Sequence, residues 1–500
     1  MSIESFDVVI VGAGLSGIGA GYHLQRDCPG KSYVILENRA AIGGTWDLFR
    51  YPGIRSDSDM FTLGYAFKPW TEAKAIADGP SIRNYVNETA REHGIDQHIR
   101  FKHRVVKAEW SSADARWTVT AEHEGGQTRF TCKFLLMATG YYNYQRGYLP
   151  EFKGADRFQG DLIHPQFWPE NFDYSGKRVV VIGSGATAMT LVPALTDKAA
   201  HVTMVQRSPT WVASLPAEDR LANLARRYLP AQLAYDLTRF RKIAFQQFLF
   251  RMSRKQPEKV KRRLLDLIRE QLGPDYDIEK DFTPRYNPWT QRLCLVPDND
   301  LFVALREGKA SIATDTIDTF TEKGLKLSSG REIEADVIVT ATGLSLQMLG
   351  GAELFVDGAK VETGQSFAYK GVMINDVPNM VWVIFGYLNA SWTLRADLIN
   401  EYACRLINYM DEYGLDQATP RLSGEQEALP FSDFSSGYFQ RAQEILPKQA
   451  GVAPWIQSQS YARDLRDLRY GAIEDGVLEL KRKPVISATP QRAREAEAVS

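Results

Sequence analysis

Five hundred residues exceed what one ordinary core organises, so two or three domains are expected. A formal net charge of -1 with 24% charged residues does not suggest a polyanion-binding chain, so neither a nucleic-acid partner nor an acidic substrate is implied by bulk charge. Four cysteines, Cys28, Cys132, Cys294 and Cys404, form no CxxC pair, which argues against a metal site or a redox dithiol and suits a reducing compartment.

The N-terminus enters a strand almost at once, which leaves no room for a signal peptide. No apolar run approaches the roughly 18 residues needed to span a bilayer. A cytoplasmic chain without a transmembrane segment is expected. Residues 7–11 (DVVIV) read as a buried parallel strand, and GAGLSG at 12–17 turns it into a helix over 18–27. Residues 32–37 read as the next strand. Gly12 allows the tight turn, Gly14 lets backbone approach a pyrophosphate, and Gly17 lets helix pack on strand. The helix N-terminus then faces the phosphate charge. Glu37 ends the second strand, where a carboxylate accepts hydrogen bonds from ribose hydroxyls.

Residues 43–59, GGTWDLFRYPGIRSDSD, follow directly. Gly43 and Gly44 suit a close backbone approach to a flat cofactor ring, and Trp46 and Tyr51 offer flat faces. Arg50, Arg55, Asp57 and Asp59 are costly to bury unless paired, so this run suggests an ionic site beside that ring. Two apolar strands, 135–140 and 337–343, end in Ala-Thr-Gly. Each can close a nucleotide-binding sheet, and together they mark where the chain crosses between domains. Residues 158–169, FQGDLIHPQFWP, form a linker whose His164 and Trp168 are expected to latch domain orientation rather than transfer protons.

A second unit follows: strand 178–182, turn GSGATA at 183–188, strand 201–205. Gly183 and Gly185 repeat the first two glycine roles, and Ala188 replaces the third glycine, as the fingerprint permits. No acid ends this strand. Arg207 and Ser208 stand where a 2′-phosphate lies, and an arginine grips that group bidentately, so NADPH is expected over NADH. Two such loops describe a flavin enzyme that takes hydride from a nicotinamide, with FAD on the first and NADPH on the second.

The fold class expected is α/β, with two Rossmann-like dinucleotide-binding domains, the second inserted in the first, and a helical subdomain. Residues 1–145 plus 345–485 form the FAD domain and 150–217 plus 285–340 the NADPH domain. Residues 218–284 form the helical insertion. The small, polar tail 486–500 is expected to be disordered. The insertion interleaves basic residues (Arg226, Arg227, Arg241, Lys242) with apolar ones (Phe240, Phe245, Phe248). It reads as an amphipathic subdomain covering the NADPH domain, with peripheral contact with anionic lipid as the alternative.

These residues resemble a family. Phe158, Gly160, His164, Trp168 and Pro169 match the fingerprint of type I Baeyer–Villiger monooxygenases, and Gly43, Gly44, Trp46, Tyr51, Pro52, Gly53 and Asp57 match their second motif. The resemblance covers nearly the whole chain. The blocks GGTWDLFRYPGIRSDSDM, HPQFWPE, VVIGSGATA, YNPWTQRLCLVP and NASWTL are most similar to the ethionamide-activating subgroup. It implies that Arg292 is the catalytic arginine and Asp57 its active-site partner. It implies a C4a-peroxyflavin that inserts one atom of O2 into a small apolar ketone to give an ester or lactone, with sulfides or thiocarbonyls as further substrates. Gln291 departs from the family, many members of which carry lysine there to hold the 2′-phosphate. NADPH preference then rests on Arg207 and Ser208. A substrate pocket is expected from Trp289 and residues 389–392. The rival with the same fold is a flavin-containing monooxygenase acting on sulfur or nitrogen. A flavoprotein disulfide reductase would need a redox cysteine pair.

Overall fold

The computed structural model describes residues 3–483, so the tail 486–500 lies outside the described residues. Two sheets organise the chain. The first has nine strands. At its centre, Ile3–Val11 pairs in parallel with Tyr33–Leu36 on one side and Gly126–Met137 on the other, with Val11 opposite both Leu36 and Met137. Val8, Val9 and Ile10 are fully buried, because helices and loops cover both faces and leave no solvent side for an alternating pattern. An antiparallel meander, Arg104–Ser111, Arg116–His123 and Gly126–Met137, extends the sheet. Helix Leu15–Asp27 packs on helix Trp392–Glu412, which brings Cys28 Sγ within 3.7 Å of the Cys404 carbonyl despite a sequence separation of 376.

The second sheet has five parallel strands in the order Ala310–Thr314, His201–Gln206, Arg178–Ile182, Val337–Thr340 and Asp161–Ile163. Between the sheets the chain crosses twice, and the crossing strands Tyr142–Gly147 and Leu344–Leu346 pair with each other as an antiparallel ribbon. Both halves therefore hang from one two-stranded joint. The two Ala-Thr-Gly endings do the same local job. A Cβ on Gly12 (φ +105°) would lie 2.6 Å from the Ala138 carbonyl oxygen, and one on Gly183 (φ +134°) 2.3 Å from that of Ala341. Each closing strand presses its carbonyl onto the first glycine of its loop, so that position must lack a side chain.

The helical insertion comprises Arg220–Tyr228, Ala231–Lys255, Pro257–Leu272 and Ile278–Phe282. Its expected place over the NADPH half needs correction. Pro257–Leu272 and Ile278–Phe282 pack there, through Ile268, Ile278 and Phe282 against the second sheet's core. The 25-residue helix Ala231–Lys255 docks on the other half. Arg239, buried on that helix, donates to the Phe61 and Gly64 carbonyls at 2.8 Å each and lies 3.4 Å from Asp397. A buried guanidinium is tolerated only with such partners, so this residue dictates which surface the helix covers.

Candidate active site

A cavity of about 980 Å³ lies between the sheets and takes in both glycine loops. Helix Leu15–Asp27 starts from Gly14, and helix Ala186–Leu195 starts from Gly185. Neither has a side-chain cap or an acid in its first turn. Their first N–H groups are left for a ligand, which suits the pyrophosphate of a dinucleotide. The backbones of Gly14 and Gly44 face each other closely, since a Cβ on Gly44 would lie 3.1 Å from Gly14 Cα. Gly185 faces open space. These two cradles, on one cavity of this size, fit two dinucleotide cofactors.

Glu37 is buried at the strand end and lines the cavity. Its Oε2 accepts from the Ala13 N–H and its Oε1 from the Arg39 N–H, both at 2.7 Å. Burial pushes its carboxyl up, and these two bonds oppose the shift. Glu37 thus braces the glycine loop, a role the ribose reading did not include. Trp46 and Gly44 also line the cavity. On the second loop, Gly183, Gly185, Arg207, Ser208 and Gln291 line the same space. Arg207 is exposed there, and the Ser208 carbonyl accepts from Ser184 Oγ at 2.9 Å. Ala188 faces away, into the core.

Arg292 and Asp57, 235 positions apart, meet on the cavity wall: Arg292 Nε donates to Asp57 Oδ2 at 2.7 Å. Arg292 Nη1 also reaches the Leu388 carbonyl at 3.4 Å. The Asp57 charge holds the Arg292 guanidinium further above its already high value, so it stays cationic. Asp57 is brought there because Phe49 and Tyr51 bury in the second sheet's core, which pins its loop between the halves.

The four charges of that loop do not form one ionic site. The turn at Gly53 (φ +74°) fans them apart. Arg50 pairs with Asp47 at 2.7 Å. Arg55 pairs with Asp300 of helix Asp300–Arg306, which follows the strand after Arg292. Asp59 caps helix Met60–Leu63, accepting from Thr62 N–H at 3.2 Å. Only Asp57 faces Arg292.

An aromatic wall, which no motif in the sequence marks, completes the cavity. Tyr141, Tyr142, Phe385 and Tyr438 line the cavity, and Phe385 stacks on Tyr141 at 4.8 Å. Tyr141 and Tyr142 share a hydroxyl contact of 3.1 Å. Burial pushes the Tyr141 and Tyr438 phenols up, so both remain neutral donors. Their position directly after the first Ala-Thr-Gly turn was the available signal for Tyr141 and Tyr142. The expected pocket also changes. Ala390, Ser391 and Trp392 line the cavity, whereas Trp289 packs edge-on against Phe250 at 6.2 Å and Asn389 is buried, donating to the Gln459 carbonyl at 3.1 Å.

Within the linker the residues divide. A Cβ on Gly160 would meet the Asp336 carbonyl oxygen at 2.4 Å, and Phe158 packs on Phe320, so both serve the second sheet. Trp168 stands edge-on to Phe172 and Tyr174 of its own segment and packs against the second sheet's core cluster, which also takes in Phe49 and Tyr51 of the other half. Pro169 is exposed. His164 instead sits at the joint. Its ring lies against Gly147, its Nε2 is 3.3 Å from the Gly343 carbonyl, and its Nδ1 accepts from Gln166 N–H at 3.2 Å. Gln166 donates to the Asn143 carbonyl at 2.8 Å. One accepting and one donating nitrogen describe a neutral imidazole, and burial lowers its pKa in the same direction.

Residues 77–410 match the family described as flavin-binding monooxygenase-like, and residues 10–76 match an NAD(P)-binding Rossmann-like domain. The chain belongs to the flavin-binding monooxygenase-like family. Among similar proteins, the FAD-containing monooxygenase EthA of Mycolicibacterium smegmatis is 55% identical over 489 residues, covering 97% of this chain and 99% of that one. EthA of Mycobacterium tuberculosis is 52% identical over 483 residues, covering 96% and 99%. The open crystal structure of cyclohexanone monooxygenase matches with a TM-score of 0.74 at 20% identity, covering 96% of this chain and 100% of that one. An oxidized steroid monooxygenase bound to NADP matches at 0.73 and 21%, with the same coverage. At such identity these structures show the shared fold. This flavin-binding monooxygenase-like protein falls in the EthA subgroup, binds FAD and NADP(H), and is an FAD-containing monooxygenase.

Proposed function

We propose that the enzyme inserts one oxygen atom of O2 into apolar ketones to give esters or lactones, a Baeyer–Villiger oxidation, and that it oxidises sulfides or thiocarbonyls in the same cavity. The observation that carries this reading is the Arg292–Asp57 pair on the wall between the two cofactor cradles. The loop at 12–17 would hold FAD and the loop at 183–188 NADPH, and FAD would supply the redox and oxygen chemistry. Arg292 stabilises the oxyanion that develops on the substrate carbonyl oxygen once its carbon is attacked. A permanent planar cation in a site walled by aromatic rings is suited to that charge. Asp57 grips Nε and thereby orients the fork without occupying its Nη2 end. The neutral Tyr141 and Tyr438 phenols supply donors without adding a competing charge.

Arg207 and Ser208 would hold the 2′-phosphate, and Gln291 adds no charge beside them. Arg207→Ala is expected to raise the KM for NADPH by about 10- to 100-fold, the cost of one charge-assisted hydrogen-bonding group, with little change for NADH. Steady-state kinetics with both nucleotides checks this. His164 acts as a neutral tie on the joint between halves. His164→Ala is expected to lower kcat by about tenfold, the loss of roughly one hydrogen bond at the joint between halves, and the remaining activity should show no titration near the ordinary histidine pKa. A pH profile of kcat for both proteins reads it.

The reaction class is tested by product analysis of the FAD-loaded enzyme with NADPH, O2, and either a linear ketone or a sulfide. Ester from the ketone is expected. Sulfoxide alone, with no ester from a range of ketones, would replace this reading with that of a sulfur or nitrogen oxygenase.

A further inference from the structure

We infer that helices Arg220–Tyr228 and Ala231–Lys255 form a docking face for an anionic lipid bilayer. Ten of the eighteen large apolar side chains exposed among the described residues lie between positions 215 and 249. A soluble surface scatters such residues singly, and a contiguous set marks an interaction site. Leu221, Leu224 and Tyr228 recur along the first helix, and Leu233, Leu237 and Phe240 along the second, at spacings of three or four residues that share a face, with Phe248 two turns further on. Phe240 is 74% exposed and Tyr228 78%. On the opposite side of the longer helix, Tyr235, Thr238 and Arg239 are buried against the half that carries the first sheet. The Arg239 anchor therefore prevents the apolar stripe from rolling inward.

Charge selects the occupant. Positions 220–255 carry nine Arg and Lys residues and a single acid, Asp236. Arg241 and Lys242 are engaged by Asp219, Arg254 by Asp433, Arg226 by the Glu72 carbonyl, and Arg239 is buried. Arg220, Arg227, Arg251 and Lys255 have no ion-pair or hydrogen-bond partner among the described residues. A second copy packed on this face would set these cations against their own kind, which opposes association. An anionic bilayer satisfies both features at once: headgroups pair with the cations, and the aromatic and leucine side chains enter the acyl boundary. Among the described residues no helix is long and apolar enough to cross a membrane, so the contact is a surface one.

The test floats the full-length, FAD-loaded chain with vesicles of phosphatidylcholine, either pure or mixed equally with phosphatidylglycerol. Binding to the mixed vesicles is expected to exceed binding to the neutral ones by about tenfold and to weaken with salt. The double variant Phe240→Ser, Phe248→Ser should lose most of that binding while its flavin is still reduced by NADPH at the normal rate. The triple variant Arg220→Ala, Arg227→Ala, Arg251→Ala should lose the salt-sensitive part. Failure to bind the mixed vesicles, or undiminished binding by the phenylalanine variant, overturns the proposal. So does light scattering that shows a native dimer converted to monomer by that variant without vesicle binding, which would assign the face to a second copy.

Discussion

Arg292→Ala is expected to cut ester formation by about 10²- to 10³-fold, roughly 3–4 kcal/mol of barrier, while NADPH still reduces the flavin. Under the proposed function the loss concentrates in the oxygen-transfer step, because the guanidinium lines the cavity in which substrate charge would develop. It is fixed there by a 2.7 Å bond to Asp57 rather than by any residue of the second glycine loop. Its cationic state does not depend on pH in the working range, since the Asp57 charge holds it far above neutrality. The variant should therefore show the same deficit at pH 6 and pH 9. Anaerobic bleaching of the flavin by NADPH and gas-chromatographic assay of ester, measured on one preparation, separate the two half-reactions. Normal ester yield would remove Arg292 from the chemistry. Loss of flavin reduction as well would move it to nucleotide binding.

Gly17→Ala is expected to yield a protein that does not retain FAD, with the local structure destabilised by about 3 kcal/mol or more. A Cβ there would lie 1.8 Å from the Gly12 carbonyl oxygen and 2.9 Å from its carbon. Backbone cannot rotate away as a flexible side chain can. The helix must lift from the strand, and the glycine loop must open with it. Glu37 would then lose its bond to Ala13 N–H, because that bond holds the same loop. The ratio of flavin to protein absorbance after purification and the melting temperature report the two effects. Full flavin content with an unchanged melting temperature would show that the helix-to-loop contact is not what shapes the cradle.

Both glycine loops, their flanking strands and the two Ala-Thr-Gly closures were readable because their function is local. A turn, a helix start and a close carbonyl involve residues within a few positions, or a repeated pattern that announces its partner. Asp59 also carries a local signal, for a helix cap rather than for the ionic site expected of it. An aspartate directly before Met60, Phe61 and Leu63 carries the ordinary signature of a helix cap, and the structure uses it so. Trp289 was assigned to the pocket on its chemistry alone, but a positive φ of 68° at that residue belongs to a turn that sends the ring to Phe250.

Sequence by itself determined the two dinucleotide cradles, the nesting of one α/β unit in the other, and, through family resemblance, the pairing of Arg292 with Asp57. Tertiary structure alone decided where the loop's remaining charges go, that Gln166 joins His164 at the joint, and which half the long helix covers. The physical reason is the range of the interaction. A pyrophosphate cradle is specified by backbone freedom at a few neighbouring residues. The partners of a buried cation such as Arg239, by contrast, are carbonyls 175 and 178 positions away, and no local pattern distinguishes those carbonyls from others until packing removes the water that would otherwise satisfy the charge.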